Sequence, residues 1–188
     1  MRRVIGLIVL LGAIWLIWSM TSGTLDKMLV ETGLGNIVKE LPIKKGDPAT
    51  SSKILAEARK YDNEPYKVPG GHGENYEMGS GLDCSGLVVR AVLDATGTYD
   101  NRLADQFQNS PNWKKVPIAE TREGDLVVTI KTARGLPDDH VAFVVSNGGD
   151  GNLSVFEAWT SKVAGPEQVR QTDSQPYNRW DHALRWVG

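Results

Sequence analysis

The sequence predicts an α+β domain behind one long apolar N-terminal segment, and three observations carry that reading. From about residue 48 to residue 97, apolar residues recur at helical spacing. After Trp113 they change to short β-branched runs separated by Gly, Asp and Asn. Ahead of both, Val4 to Met20 holds 14 apolar residues in 17 and no charge. Helices first and antiparallel strands second is the order of an α+β domain, not of an alternating βαβ chain. At 188 residues, 40% apolar and 23% charged, the chain has room for one domain plus an appendage.

Arg2 and Arg3 precede the apolar segment, and the uncharged stretch continues to Leu25. At about 1.5 Å per helical residue, residues 1–25 contain enough to span the roughly 30 Å bilayer core as a single transmembrane helix. Trp15 and Trp18 stand near its outer end, where amphipathic rings favour the interface. The Arg pair predicts a cytoplasmic N-terminus, with everything after Asp26 on the far side. A cleavable signal peptide is the alternative, because small residues run from Ser19 to Gly23. Both readings export the protein, membrane-anchored in the first and secreted in the second. Residues 26–47 read as a juxtamembrane linker with one short helix around Leu25 to Val38, and residues 48–188 as one compact domain.

Within that domain, Ser51 and Ser52 can cap a helix that places Ile54, Leu55, Ala58 and Tyr61 on one face. A Gly-rich loop, Val68 to Leu82, follows. Asp83 caps a second helix with an apolar stripe of Leu87, Val88, Ala91, Val92 and Ala95, and Gly97 stops it. A third, short helix covers Asn101 to Gln108. Leu126 to Ile130, Val141 to Ser146, Leu153 to Trp159 and Ala183 to Val187 read as strands of a small antiparallel sheet.

With 21 basic and 23 acidic residues the chain lacks the basic footprint of a nucleic-acid binder. A single Cys excludes an internal disulfide framework and a Cys-based zinc cluster. Cys84 is then either a buried small hydrophobe or a reactive thiol. It follows the capping residue Asp83, in the first helical turn. There the unpaired N–H groups and the positive end of the dipole favour an anion, here the nucleophilic thiolate. The same N–H groups can stabilise the oxyanion of a tetrahedral intermediate.

A nucleophilic Cys needs a base, and the base needs an orienting acceptor. His140 opens the strand His-Val-Ala-Phe-Val-Val, and Glu157 lies in the following strand. If the two strands pair through the turn Asn147 to Asn152, Val144 faces Leu153, Phe143 faces Ser154, and His140 stands opposite Glu157. Cys84, His140 and Glu157 can thus form a nucleophile, base and orienter set. His72 reads as a mobile-loop histidine and His182 as a surface one. Asp138-Asp139-His140 has no second close His to make a metal site, so neither metal nor cofactor is expected.

These residues also carry a resemblance. Gly81-Leu82-Asp83-Cys84-Ser85-Gly86-Leu87-Val88 resembles the nucleophile motif of the NlpC family of papain-like cell-wall cysteine peptidases. Pro65-Tyr66-Lys67-Val68-Pro69-Gly70-Gly71 is similar to the Tyr and Gly-Gly segment that precedes it there. Glu123-Gly124-Asp125-Leu126-Val127 resembles the family's Gly-Asp-Leu segment, and His140-Val141-Ala142 its histidine strand. The third polar residue of that family is usually His, Asn or Gln. Glu157 in that place resembles the related CHAP amidases and endopeptidases, although their Asn shortly after the Glu is missing.

The resemblance implies a papain-like fold, with the nucleophile at a helix N-terminus packed on the sheet. It implies hydrolysis of an amide of the peptidoglycan stem peptide through a cysteine thioester, as an endopeptidase in preference to an amidase. It further implies that Tyr66, Asp83 and Ser85 bind substrate. Two other readings stay open: a membrane-anchored wall-binding or envelope or phage assembly subunit with a degenerate site, and a transglutaminase-like acyltransferase.

Overall fold

The computed structural model describes residues 47–73, 75–131, 138–160 and 167–188, all within one compact unit, Lys44–Gly188. The apolar segment 1–25, the linker to residue 46 and the short helix around Leu25 to Val38 lie outside the described residues. Among the described residues no helix is long and apolar enough to cross a membrane.

Helix α1 spans Pro48–Ala58. It begins earlier than Ser51 and Ser52 suggested, because Asp47 is the cap: its carboxylate accepts from Ala49 N at 3.0 Å, and Pro48 occupies the first turn. Proline at N1 has no N–H to lose and a φ already suited to a helix, so Asp-Pro outcompetes the serines. Ile54, Leu55 and Ala58 are buried, as their spacing predicts, with Tyr61 in the 3-10 turn Arg59–Tyr61.

Helix α2 spans Cys84–Thr96 between the expected cap Asp83 and the expected stop Gly97, whose φ of 74° is the left-handed conformation of a C-terminal glycine. It packs against α1, and Lys53 Nζ reaches the Ala95 carbonyl at 2.6 Å. The expected third helix is a 3-10 helix, Ala104–Asn109.

Six strands of the described residues form one antiparallel sheet: β1 (Trp113–Val116), β2 (Leu126–Thr129), β3 (His140–Asn147), β4 (Asn152–Trp159), β5 (Gln168–Pro176) and β6 (His182–Trp186). Their order is β1-β6-β2-β3-β4-β5. The sheet is covered on both faces. On one, Leu126, Val128, Val141, Phe143 and Phe156 join Leu87, Val88 and Ile54 in the main core. On the other, Val127, Ala142, Val144, Val155 and Ala183 form a smaller core with Trp180. Burying a side chain of this size contributes about 1.5–3 kcal/mol, so the alternation of faces is strongly enforced.

The β3–β4 hairpin differs in register from the expectation. Phe143 pairs with Phe156 and Val144 with Val155, while beyond a bulge at Val145 Ser146 pairs with Ser154 and Asn147 with Leu153. Continuing the register from Phe143 places Glu157 beside Ala142, two residues from His140, which instead meets Trp159. The turn end of the hairpin is shifted by three residues from the expectation, and the extra residue of β3 at the bulge takes one back, which leaves two beside the site.

Candidate active site

The N-terminus of α2 is built by one carboxylate. Asp83 is buried, and its Oδ1 accepts from Gly86 N at 2.7 Å, from Ser85 Oγ at 2.8 Å and from His72 Nε2 at 3.1 Å. Its Oδ2 accepts from Gly70 N at 3.0 Å. Burial alone would favour the neutral acid, but the bonds from His72, Gly86, Gly70 and Ser85 outweigh it and hold the carboxyl below its usual range. The cap thereby clamps the Gly70–Gly71 turn onto the helix. That contact is so close that a Cβ on Gly86 would lie 1.6 Å from the Gly70 carbonyl oxygen.

The preceding segment is tied alongside. Leu82 N donates to Pro65 O at 2.9 Å and Lys67 N to Leu82 O at 3.0 Å, setting Tyr66 beside the start of α2. Burial first, then the negative charges at Cys84 and Asp83, push the Tyr66 phenol well above its ordinary range and keep it a neutral donor.

Cys84 is the first residue of α2 and is 8% exposed. His140 opens β3, with its ring beside the Cys84 side chain. Its Nε2 lies 2.6 Å from Glu157 Oε2, so Nδ1 is the nitrogen left for the sulfur. Burial works against the imidazolium, but the bonds to Cys84 and Glu157 and their charges prevail and raise its pKa to about 9. Glu157 is 1% exposed. Burial works against its ionised form too, yet His140, Arg179 and the Thr172 hydroxyl keep it ionised below the usual carboxylate range. The structure therefore brings Cys84, His140 and Glu157 together in that order, with Tyr66, Asp83 and Ser85 around the thiol.

Three aromatic or cationic residues complete the far side. Trp159 meets the His140 ring edge-on at 5.1 Å, and Trp180 stacks on it at 6.1 Å with 27° between planes. The Arg179 guanidinium lies 4.6 Å from the Trp159 ring centroid, 4.7 Å from that of Trp180 and 3.5 Å from Glu157 Oε2. Two cavities meet here. One of about 390 Å³ lies on the His140 side, against Thr129, Trp159, Thr160 and Arg179. The other, about 350 Å³, lies over Cys84, Ser85, Leu103 and Lys131. Tyr66, Asp138 and Asp139 line both.

Sequence reasoning missed two members. His72 is not a loose loop residue: besides Asp83 it reaches Ser85 Oγ at 3.1 Å, and its Nδ1 lies 2.7 Å from Asn101 Oδ1. Its only signal was a position just after Gly70-Gly71. Arg179 had none, since nothing in the chain announces that the segment before β6 folds over Glu157. His182 opens β6 and pairs across the sheet with Val128. Asp139 accepts from Lys131 N at 2.7 Å. Among the described residues no group of three His, Cys, Asp or Glu side chains is arranged to hold a metal.

The sequence pattern of the NlpC/P60 family matches residues 64–183, from the segment before Tyr66 to the start of β6. The chain belongs to the NlpC/P60 family. Solved NlpC/P60 structures share its fold. The NlpC/p60 domain of the peptidoglycan hydrolase SagA is 24% identical, over 71% of this chain and 97% of that one, with a TM-score of 0.51. An NLP/P60-family protein similar to lipoprotein, from Staphylococcus aureus, is 22% identical over 79% of this chain and 45% of its own, with a TM-score of 0.53. NlpC2 from Trichomonas vaginalis is 18% identical over 79% and 50%, with a TM-score of 0.52. No curated protein matches the chain in sequence.

Proposed function

We propose that this NlpC/P60 protein is a cysteine hydrolase that cleaves an amide of the peptidoglycan stem peptide, acting as an endopeptidase. One observation carries the reading: a cysteine at the first position of a helix, beside a histidine whose Nε2 is held 2.6 Å from a buried glutamate. Family membership supplies the substrate class, peptidoglycan being the substrate named for SagA.

In this reading His140 Nδ1 takes the thiol proton, and the Cys84 thiolate attacks the amide carbonyl carbon. The oxyanion forms at the start of α2, where the Cys84 N–H has no carbonyl four residues back to bond. The Tyr66 hydroxyl, a neutral donor beside it, shares the charge. His140 gives its proton to the leaving amine, the C–N bond breaks, and a thioester remains on Cys84. The leaving amine departs into the His140-side cavity. Water, deprotonated by His140, then attacks the thioester and releases the acid. Glu157 fixes the imidazole tautomer and supports its charged form. Asp83 and Ser85, on the Cys84 side, contact the acyl part of the peptide. Residues 1–25 hold the catalytic domain at the outer face of the membrane.

The test is mass spectrometry of muropeptides after incubation with the purified protein. New amine and acid ends at one stem-peptide bond, lost in Cys84→Ala and after thiol alkylation but not with chelators, are the expected result. Full activity of Cys84→Ala would overturn the mechanism. Transfer of the acyl group to an added amine in place of water would make the protein an acyltransferase, and inactivity on every wall type would leave a binding module. Membrane fractionation of the full chain tests the anchor.

A further inference from the structure

Glu157 is a full negative charge in an almost completely buried place, where a neutral amide or imidazole would orient His140 at lower desolvation cost. Its Oε2 accepts from His140 Nε2 at 2.6 Å and lies 3.5 Å from Arg179. The imidazolium balances that charge only while it holds its proton. Once His140 has delivered the proton to the leaving amine, a second cation must carry the balance. Arg179 is in place for that: it is packed between the faces of Trp159 and Trp180, the same two rings that enclose His140. Gln175 accepts from its guanidinium, and its main-chain carbonyl accepts from Thr129 Oγ1 at 2.9 Å.

We propose that Arg179 is a positioning residue that keeps Glu157 anionic through the half of the cycle in which His140 is neutral. It thus supplies the cation that a buried glutamate in the orienting place requires. The inference rests on the hydrolase reading for its catalytic meaning but not for its physical content. Other groups face the pair. Tyr66, Asp138 and Asp139 share one cavity with His140, and Cys84 lines the adjoining one with them. On β5, the Thr172 hydroxyl is near Glu157 and Arg170 stands opposite it in register. Toward β6, the Asp181 carboxylate is taken by Ile130 N at 2.8 Å. Of the described cations, Arg179 is the one within 4 Å of the Glu157 oxygen besides His140.

The test uses the full-length protein and its single cysteine. The rate of Cys84 alkylation by iodoacetamide is measured against pH in wild type, Arg179→Gln, Glu157→Gln and the double variant. Arg179→Gln should move the acid limb up by about one pH unit or more, because losing a cation within 4–6 Å raises a carboxylate by that much. Adding Arg179→Gln to Glu157→Gln should shift the limb by less than about 0.3 unit, and Arg179→Lys should restore most of the wild-type profile. On muropeptide, Arg179→Gln should lower kcat by about tenfold or more with little change in KM, as loss of one unit of charge balance implies.

An equal shift in both backgrounds, or none in either, overturns the proposal. If Arg179→Gln fails to fold while the double variant folds, the uncompensated glutamate is exposed directly and the proposal stands. If both fail to fold, Arg179 is only structural and the proposal falls. Alkylation needs no substrate, so an inactive protein with the expected shifts refutes the peptidoglycan reading alone.

Discussion

Replacing Gly86 by Ala tests the junction on which the whole site is mounted. The added Cβ would lie 1.6 Å from the Gly70 carbonyl oxygen, where real Cβ atoms keep at least 3.0 Å, so the two segments must part by about 1.4 Å. Both are backbone, with no flexible side chain to swing aside. Parting them breaks Gly70 N to Asp83 Oδ2 at 3.0 Å and Asp83 N to Gly70 O at 3.3 Å. Each lost bond costs about 1 kcal/mol and the overpacking another 1–3. The better helix propensity of Ala returns at most about 1 kcal/mol, for a net loss of about 2–4 kcal/mol. For a domain of this size, Tm should fall by roughly 6–12 °C. Urea denaturation followed by tryptophan fluorescence measures it, since Trp113, Trp180 and Trp186 are buried. Gly73→Ala, where an added Cβ meets nothing within 4 Å, is the control and should change little. A Gly86→Ala variant within about 0.5 kcal/mol of wild type would refute the reasoning.

Three further outcomes follow from the same geometry. His140 rises from its ordinary 6.5 to about 9, so its contribution is complete below pH 6.5 and fades as pH climbs through 9; Glu157 is shifted down from 4.5, so its share is present above that value and fades as pH falls. Thermal stability should therefore peak between pH 4.5 and 6.5 and drop by about 3 kcal/mol toward pH 9, and a flat profile by calorimetry would contradict the pairing. Glu64 accepts from Tyr76 Oη, from Gly79 N at 2.7 Å and from Gly81 N at 3.0 Å; Glu64→Ala should cost about 1–3 kcal/mol and speed amide exchange at Gly79 and Gly81. Tyr66→Phe should leave Tm nearly unchanged and lower kcat by about 10- to 100-fold, and an unchanged kcat would remove the hydroxyl from the oxyanion site.

Much of the fold was legible because local signals and burial agreed. Asp83 and Gly97 mark α2 by capping chemistry, and β2, β3, β4 and β6 show as apolar runs because the sheet is covered on both faces. The edge strands did not show. β1 is Trp-Lys-Lys-Val and β5 is mostly polar, since an edge half-open to solvent has no reason to be apolar. The register of β3 on β4 differs by two residues from the expected one, because the turn pairs Asn147 with Leu153, a shift of three, and the bulge at Val145 takes one back; neither leaves a sequence mark. Glu157 was nonetheless the right residue to pair with His140: a shift of two preserves the face, whereas a shift of one would have sent the carboxylate into the opposite core. Arg179 and His72 stayed hidden because their partners are 22 and 11 residues away in sequence, at separations that periodicity does not describe.

The place of β6 has a temporal consequence. The last strand of the described residues lies between β1 and β2, near one side of the sheet. Until residues 182–186 emerge from the ribosome, β1 has no neighbour and β2 presents a bare hydrogen-bonding edge of buried Leu, Val and Val. β6 is thus the closing pin of the domain: it must emerge before the sheet can be completed, and its removal would reopen a sticky edge far from the thiol.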